Sequence, residues 1–276
     1  MTSPSLELLE HQRTLEKLFN KNQTVPRIKA EFTNFEDFDF GEYMQIKGIP
    51  IDFGMALMAQ MALHKRCDLP TLVGIMKSHC ADVQQCADLL ETCAEADLVD
   101  WVPDLQIFVV KVTIAQHVQD ELDRFQYPLP FVVPPKKVRT NKDTGMYMTN
   151  GSIILKKNHH DDDVCLDHIN RCNAIKFKLD DRVISMVKNQ WRNLDKAKPG
   201  ETNEDFMRRR KAFERYDRTA RDVIKILQQV NDVFYLGHKY DKRGRTYCQG
   251  YHINYQGTPW NKACVLFANG EVIKDE

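Results

Sequence analysis

The chain has 276 residues, 42% of them hydrophobic and 28% charged, with 39 basic and 39 acidic side chains that cancel to no net charge. This composition is ordinary for a folded globular protein and excludes a disordered tail, a collagen-like chain and a small disulfide scaffold. The longest apolar run, Ala263–Ala268, falls far short of the ~20 residues that a bilayer span requires, and the polar start MTSPSLELLEHQ lacks the basic-then-apolar order of an export signal.

The neutral total hides a split. Residues 1–135 hold 11 Lys and Arg against 20 Asp and Glu, a net of −9, and residues 136–276 hold 28 against 19, a net of +9. Such asymmetry points to a polyanion for the basic half, with the acidic half facing away; two solvated faces with a chance imbalance fit equally well. None of the eight cysteines forms a C-x-x-C pair. They read as buried reduced thiols of a cytoplasmic protein.

In chain order, Leu6 to about Asn20 reads as a polar helix, followed by the Phe-rich acidic stretch EFTNFEDFDFGEY, which has no clear period. Residues 52–66, 70–78 and 80–98 read as helices, broken at Asp68-Leu69-Pro70, and Pro103–Phe125 as a longer helix. The four prolines of YPLPFVVPPKKVR exclude a helix. With the glycine turns of NKDTGMYMTNGSIIL they predict an irregular β region over about 127–158, closing an N-terminal domain of residues 1–162.

Two long helices are expected next. The first, about Asp163–Gln190, carries an apolar stripe of Cys165, Ile169, Cys172, Leu179, Val183 and Val187. A polar break with Pro199-Gly200 follows, and Thr202 or Asn203 can cap the second helix, about Glu204–Tyr235. Its residues Phe213, Tyr216, Ala220, Val223, Leu227, Val230 and Phe234 recur at gaps of three and four, a seam whose natural mate is the preceding helix. Lys211, Arg215, Arg218, Arg221 and Lys225 lie on the opposite face, just after Arg208–Arg210. This stripe suits a polyanion; because Glu214, Asp217 and Asp222 interleave it, it also suits a solvated face. After Tyr235 the pattern predicts a β-hairpin, a loop and a short helix over Lys262–Ala268.

His159-His160-Asp161-Asp162-Asp163 with Cys165, His168 and Cys172 has the look of a metal cluster. It lacks paired C-x2–4-C spacing, and carboxylates at a helix start also offset the helix dipole, so no metal ligand is assigned. No P-loop, G-x-G-x-x-G or G-x-S-x-G pattern is present. The segment Tyr240–Asn269 is richer. Lys242, Arg243 and Arg245 crowd around Gly244, which permits close backbone approach, and Arg245 can fork two donors onto a phosphate. Tyr247, Tyr251 and Tyr255 are expected on one strand face, with Lys262 in the next loop. Cations among aromatics on a hairpin suit a nucleic-acid strand, or alternatively a surface hairpin with a tyrosine core face.

Y-D-K-R-G-R-T-Y, followed by N-Y-Q-G and N-K, resembles the D-x-x-G-R motif of the single-subunit, phage-type RNA polymerases, a family that includes the mitochondrial enzymes. FVVPPKKVRTNKDTGMYMTNG is similar to that family's V-P-P segment, INRCNAIKFKLDDRVI to its first thumb helix and VIKILQQVNDVFY to its second, all in the family's order and together covering roughly Tyr127–Glu276. The resemblance implies a mainly α (α+β) fold: an N-terminal helical domain, a two-long-helix thumb over 163–235, and the first hairpin and helix of a palm over 236–276. It implies that Arg245 supports the active centre with Asp241 and touches the hybrid or template backbone. Tyr247 would lie beside the template strand and Lys262 on template phosphate, with Lys242, Arg243, Lys211, Arg215, Arg218 and Lys225 as further nucleic-acid contacts.

The family's two metal-binding aspartates lie downstream of these motifs, so the resemblance implies no catalytic residue in this sequence and no polymerisation by it alone. Within the family the sequence is most similar to the heterodimeric middle-gene polymerases of enquatrovirus-type phages, in which thumb and catalytic palm are split between subunits. The expectation is therefore an obligate second subunit carrying palm and fingers, with magnesium held by its carboxylates. The expected partners are a DNA template, expected to be single-stranded, and an RNA transcript, with no membrane contact, in the cytoplasm of an infected bacterium. The competing expectation is a non-catalytic nucleic-acid-binding transcription factor derived from a polymerase thumb.

Overall fold

The computed structural model describes residues 4–19, 21–149, 151–157, 162, 164–191 and 194–270, without the side chains of residues 21–23 and 157. Among these residues the chain is mainly helical, with one three-stranded and two two-stranded sheets. It divides into two compact units, one of residues 20–122 and one joining 1–19 to 123–276. The expected functional segments beginning at 163 and 236 both lie inside the second of these.

The chain starts with α1 (Leu6–Phe19) and enters the 20–122 unit through α2 (Lys21–Thr33), α3 (Phe40–Ile46) and α4 (Ile51–His64). Helix α4 is apolar almost all round and buries Phe53, Leu57, Met58 and Met61, as a central core helix must. β1 (Arg66–Asp68) leads into α5 (Leu69–Met76), which Asp68 caps by accepting from Thr71 N at 2.9 Å. α6 (Val83–Glu95) follows, capped by Asp82. β2 (Val99–Val102) and β3 (Ile107–Val110) complete an antiparallel sheet of order β1-β3-β2, and α7 (Gln116–Phe125) leaves the unit. The single helix expected over Pro103–Phe125 is thus not present. Pro103 opens one 3-10 turn, and the β-branched and aromatic run Ile107–Val110 gains two strand neighbours that a helix would forgo.

The other unit begins with α1 itself. Gln12 and Glu16 are buried on it: Gln12 Oε1 accepts from Val132 N at 2.9 Å, and the Glu16 carboxylate accepts from Tyr147 N at 2.8 Å and Met148 N at 2.6 Å. A charge is tolerable there because backbone donors surround it. The proline-rich stretch forms no long strand; it joins the unit through an isolated bridge between Phe131 and Tyr235.

The helix expected over 163–190 is broken. α8 (Leu166–Asn173) stops, β4 (Phe177–Leu179) pairs with a later strand, and α9 (Asp181–Met186) restarts under an Asp180 cap. Phe177 is the cause: its backbone exchanges two 2.9 Å hydrogen bonds with Phe234, and its ring stacks on Phe234 and Phe267. Cys165, expected on the buried stripe, is exposed.

α10 (Asn203–Val230) is the long helix, capped by Thr202. Its seam is buried at Tyr216, Ala220, Val223 and Leu227, as the three-four spacing requires. Among the described residues the seam has no long helical mate. It packs into a core with Leu15, Val132, Val133, Phe177, Phe234 and Trp260. β5 (His238–Tyr240) and β6 (Thr246–Cys248) form the expected hairpin. The helix expected over Lys262–Ala268 is instead α11 (Pro259–Ala263) followed by β7 (Val265–Phe267), the partner of β4. Pro259 fits a first helical turn, Thr258 caps it, and the apolar run beyond it pairs as a strand. Among the described residues no helix is long and apolar enough to cross a membrane.

Leu227 is buried within this core, whereas Leu6 is exposed. Leu227→Ala is expected to cost about 2–5 kcal/mol in urea unfolding and Leu6→Ala less than about 0.5 kcal/mol. Equal losses would show that the seam does not carry the unit.

Candidate nucleic-acid interface

The D-x-x-G-R segment is the turn between β5 and β6. Gly244 takes φ +80°, a conformation that glycine adopts without strain, and this closes the turn through Gly244 N donating to Asp241 O and Asp241 N donating to Arg245 O. Asp241 organises everything around it. Its Oδ1 accepts from Arg243 N at 2.8 Å and Arg245 N at 3.0 Å. Its Oδ2 accepts from Arg243 Nε and Nη2 at 3.0 and 2.9 Å, from Arg245 Nε at 3.2 Å and from the Tyr247 hydroxyl at 3.4 Å.

The Asp241 side chain is only 14% exposed, against 62% for Arg243 and 54% for Arg245. One nearly buried carboxylate therefore aligns two accessible guanidiniums, and exposed Lys242 adds a third cation. The turn keeps a net positive charge, with the forked donors that suit phosphate oxygens. Both oxygens of Asp241 accept from these donors, which holds the two arginine side chains beside it.

The neighbouring strand supplies what sequence reading missed. Lys239 faces Tyr247 across the hairpin, and burial pushes its ammonium below the usual lysine range. His238 is buried between Asn173 Oδ1, 3.0 Å from Nδ1, and the Tyr255 hydroxyl, 2.7 Å from Nε2. Asn170, one turn earlier on α8, clamps Val138 by both N and O at 2.8 and 2.9 Å. The two asparagines of α8 thus fasten the V-P-P segment and the hairpin to one helix. Strand alternation places Lys239 beside Tyr247; no local signal shows the Asn170 and Asn173 contacts, which join residues 32 and 65 positions apart.

The three tyrosines do not share a strand face. Tyr247 lies on β6, which ends at Cys248. Gly250 then turns the chain so tightly that a Cβ there would sit 2.5 Å from Ile253 O, and Tyr251 and Tyr255 fall in the loop beyond. Tyr255 stacks on Phe177, and Tyr251 stacks on Tyr127. Lys262 is exposed on α11.

The basic face of α10 is real but thinner than its sequence. Lys211, Arg215, Arg218 and Lys225 are exposed. Arg215 stands 3.6 Å from Asp123, Arg221 pairs with Asp217 at 3.0 Å, and Arg208 pairs with Glu204 and Asp205. Arg209 is committed to structure: it grips Glu201 at 2.7 and 2.8 Å, and that hydrogen bonding pulls the Glu201 carboxyl down to about 2.

In the 20–122 unit, by contrast, a groove of about 650 Å³ between α6 and β2 is walled by Glu91, Glu95, Asp97 and Asp100. Such a wall repels a polyanion.

Of the metal-like cluster, His159, His160, Asp161 and Asp163 lie outside the described residues. His168 Nε2 lies 3.6 Å from Cys172 Sγ and 3.1 Å from the Thr246 hydroxyl. No group of three or more His, Cys, Asp or Glu among the described residues is arranged to hold a metal ion.

No protein-family model matches the chain. It is similar to two proteins named "Probable DNA-directed RNA polymerase". One, from Gelasinospora sp. (strain G114), is 26% identical over 131 residues, 45% of this chain. The other, from Agaricus bitorquis, is 25% identical over 170 residues, 52% of this chain. The chain spans only 14 and 15% of these relatives' own lengths. The similarity is thus to a part of a polymerase and covers about half of this chain.

Burial holds His238 and His252 neutral and pushes both down to about 4 from an ordinary 6.5. The unfolded chain therefore takes up protons first as pH falls. Stability is full above pH ~6.5 and declines toward pH 4 by up to about 1.4 kcal/mol per pH unit for each histidine. Urea unfolding near pH 7.5 and near pH 5 should show this loss, with a shallower slope in His252→Phe; a flat profile would contradict the burial of these rings as neutral groups.

Proposed function

We propose that this chain is the nucleic-acid-holding part of a DNA-directed RNA polymerase: the smaller, N-terminal and thumb subunit of an enzyme split between two chains. In this reading α10 and the β5–β6 turn hold a single-stranded DNA template and the RNA–DNA hybrid, and a second subunit carries palm, fingers and the two-metal site. The observation that carries the reading is the Asp241 turn, in which a single carboxylate presents Arg243 and Arg245 to solvent, in a chain about half of which is similar to proteins named "Probable DNA-directed RNA polymerase".

Each part has a task in this scheme. Arg245, whose side chain is held through its Nε by Asp241, offers its Nη donors to a backbone phosphate beside the active centre. Tyr247, tied to the same carboxylate, offers a ring to the template strand, and Lys242, Arg243 and Lys262 add phosphate contacts. Lys211, Arg215, Arg218 and Lys225 follow the hybrid along α10. Magnesium, bound by the partner's carboxylates, would supply activation of the attacking and leaving oxygens. Support for a partner comes from β7, where Leu266 and Phe267 are 39% and 66% exposed on a sheet that has two strands among the described residues, an apolar edge suited to further strands.

The test uses the enzyme assembled with the product of the neighbouring reading frame. Arg245→Ala should cut ribonucleotide incorporation at least roughly tenfold, the order expected for loss of a charge-assisted contact, while subunits still co-elute. Neutralising Lys211, Arg215 and Arg218 together should instead weaken retention of a labelled RNA–DNA hybrid and flatten its salt dependence by ~0.7–0.9 per lost phosphate contact. Loss of subunit association alone in both variants would refute this assignment of the residues.

A further inference from the structure

Tyr127 and Tyr251 form a stacked pair at the surface. Their ring centroids are 4.2 Å apart at 21°, and the residues remain 37% and 44% exposed. They come from different segments, the proline-rich stretch and the loop after β6, so the pair exists only in the folded unit.

Aromatic rings fix it from behind. Tyr216 of α10 meets Tyr251 edge-on at 5.4 Å and 89°. His252 meets Tyr251 at 5.0 Å and 85°, and Tyr127 at 6.2 Å and 75°. His252 is only 6% exposed, and neither of its ring nitrogens has a hydrogen-bond partner, so it serves as an edge support. Arg215, beside Tyr216 on α10, is 46% exposed and stands 3.6 Å from the Asp123 carboxylate, and both charges are close enough to act on the Tyr127 phenol. Lys211 and Arg218 lie one turn to either side of it.

We infer that the Tyr127–Tyr251 pair is a platform on which an unstacked nucleobase of a single strand stacks, with the flanking phosphate at Arg215. The inference rests on the nucleic-acid reading above and adds to it a contact with bases, separate from the Asp241 turn. Every base has a π-face, so such a platform accepts bases without reading sequence, and rings already locked by their neighbours lose little freedom on binding. A cation at the rim favours a base attached to a phosphate chain over an uncharged flat ligand.

The experiment compares the affinity of the full chain for fluorescent single strands of equal length: mixed-base DNA, mixed-base RNA and an abasic sugar–phosphate strand. The wild type should bind a base-bearing strand roughly tenfold more tightly than the abasic one, within the range of base–aromatic stacking. Tyr251→Ala should erase that preference and leave abasic binding unchanged, and Tyr251→Phe should keep it. Preference for DNA or for RNA would assign the base to template or transcript, and either upholds the platform. Equal wild-type binding of base-bearing and abasic strands would overturn the platform while leaving the nucleic-acid reading intact. No binding of any strand would overturn both.

A readout on the wild-type chain guards against a variant that fails to fold. A strand carrying 5-iodouracil should photocrosslink to Tyr127 or Tyr251, and crosslinks confined to other residues would overturn the platform.

Discussion

The apolar seam of α10 is the constraint on which the 1–19 and 123–276 unit depends. Ala220, Val223, Ile224 and Leu227 form a buried strip against which segments from Leu15 to Cys264 are packed. Helix α1, the V-P-P segment, the Phe177 strand, the hairpin and α11 each contribute a few residues to that one core. None has an apolar face large enough to be stable by itself. Two polar links fix the register of the last of these: Tyr216 OH donates to Asn261 Oδ1 at 3.0 Å, and Trp260 Nε1 to Val187 O at 3.0 Å. The same helix that buries the seam exposes Lys211, Arg215, Arg218 and Lys225 on its other side. Core and candidate interface are thus two faces of one rigid rod about 42 Å long.

Charge is handled by the same economy in both candidate regions. Along α10, acidic residues absorb some of the cations, so Arg209 and Arg221 stabilise local structure while others stay accessible. At the hairpin, Asp241 neutralises part of the charge but leaves both guanidiniums in solvent. Exposed pairs of this kind contribute little to stability. Their effect is geometric: the carboxylate restricts side chains that would otherwise sample many rotamers, and restriction lowers the entropic cost of meeting a phosphate. The acidic groove of the 20–122 unit belongs with the negative half of the charge split, away from the residues proposed to meet nucleic acid in the sequence.

What the sequence made legible follows periodicity. The seam of α10, its Thr202 cap and the hairpin around Gly244 all rest on local patterns, and the structure has them where those patterns fall. Three of the differences share one cause. Ile107–Val110, Phe177–Leu179 and Val265–Phe267 are short apolar runs that fit a helix or a strand equally well, and distant partners decided for strands. The face expected for Tyr247, Tyr251 and Tyr255 failed because Gly250 ends the strand alternation. Asp241 was recognisable as a motif residue, but its grip on two arginines was not, and the Tyr127–Tyr251 stack joins positions 124 residues apart with no local signal.

The central claim is that this chain holds template and hybrid for chemistry performed by another. Its most direct test is ribonucleotide incorporation on a primed single-stranded DNA template with magnesium, using this chain alone, the neighbouring gene product alone, and the two mixed. Synthesis is expected only in the mixture. Full synthesis by the neighbouring product alone would contradict it, and would leave this chain as a non-catalytic nucleic-acid-binding factor.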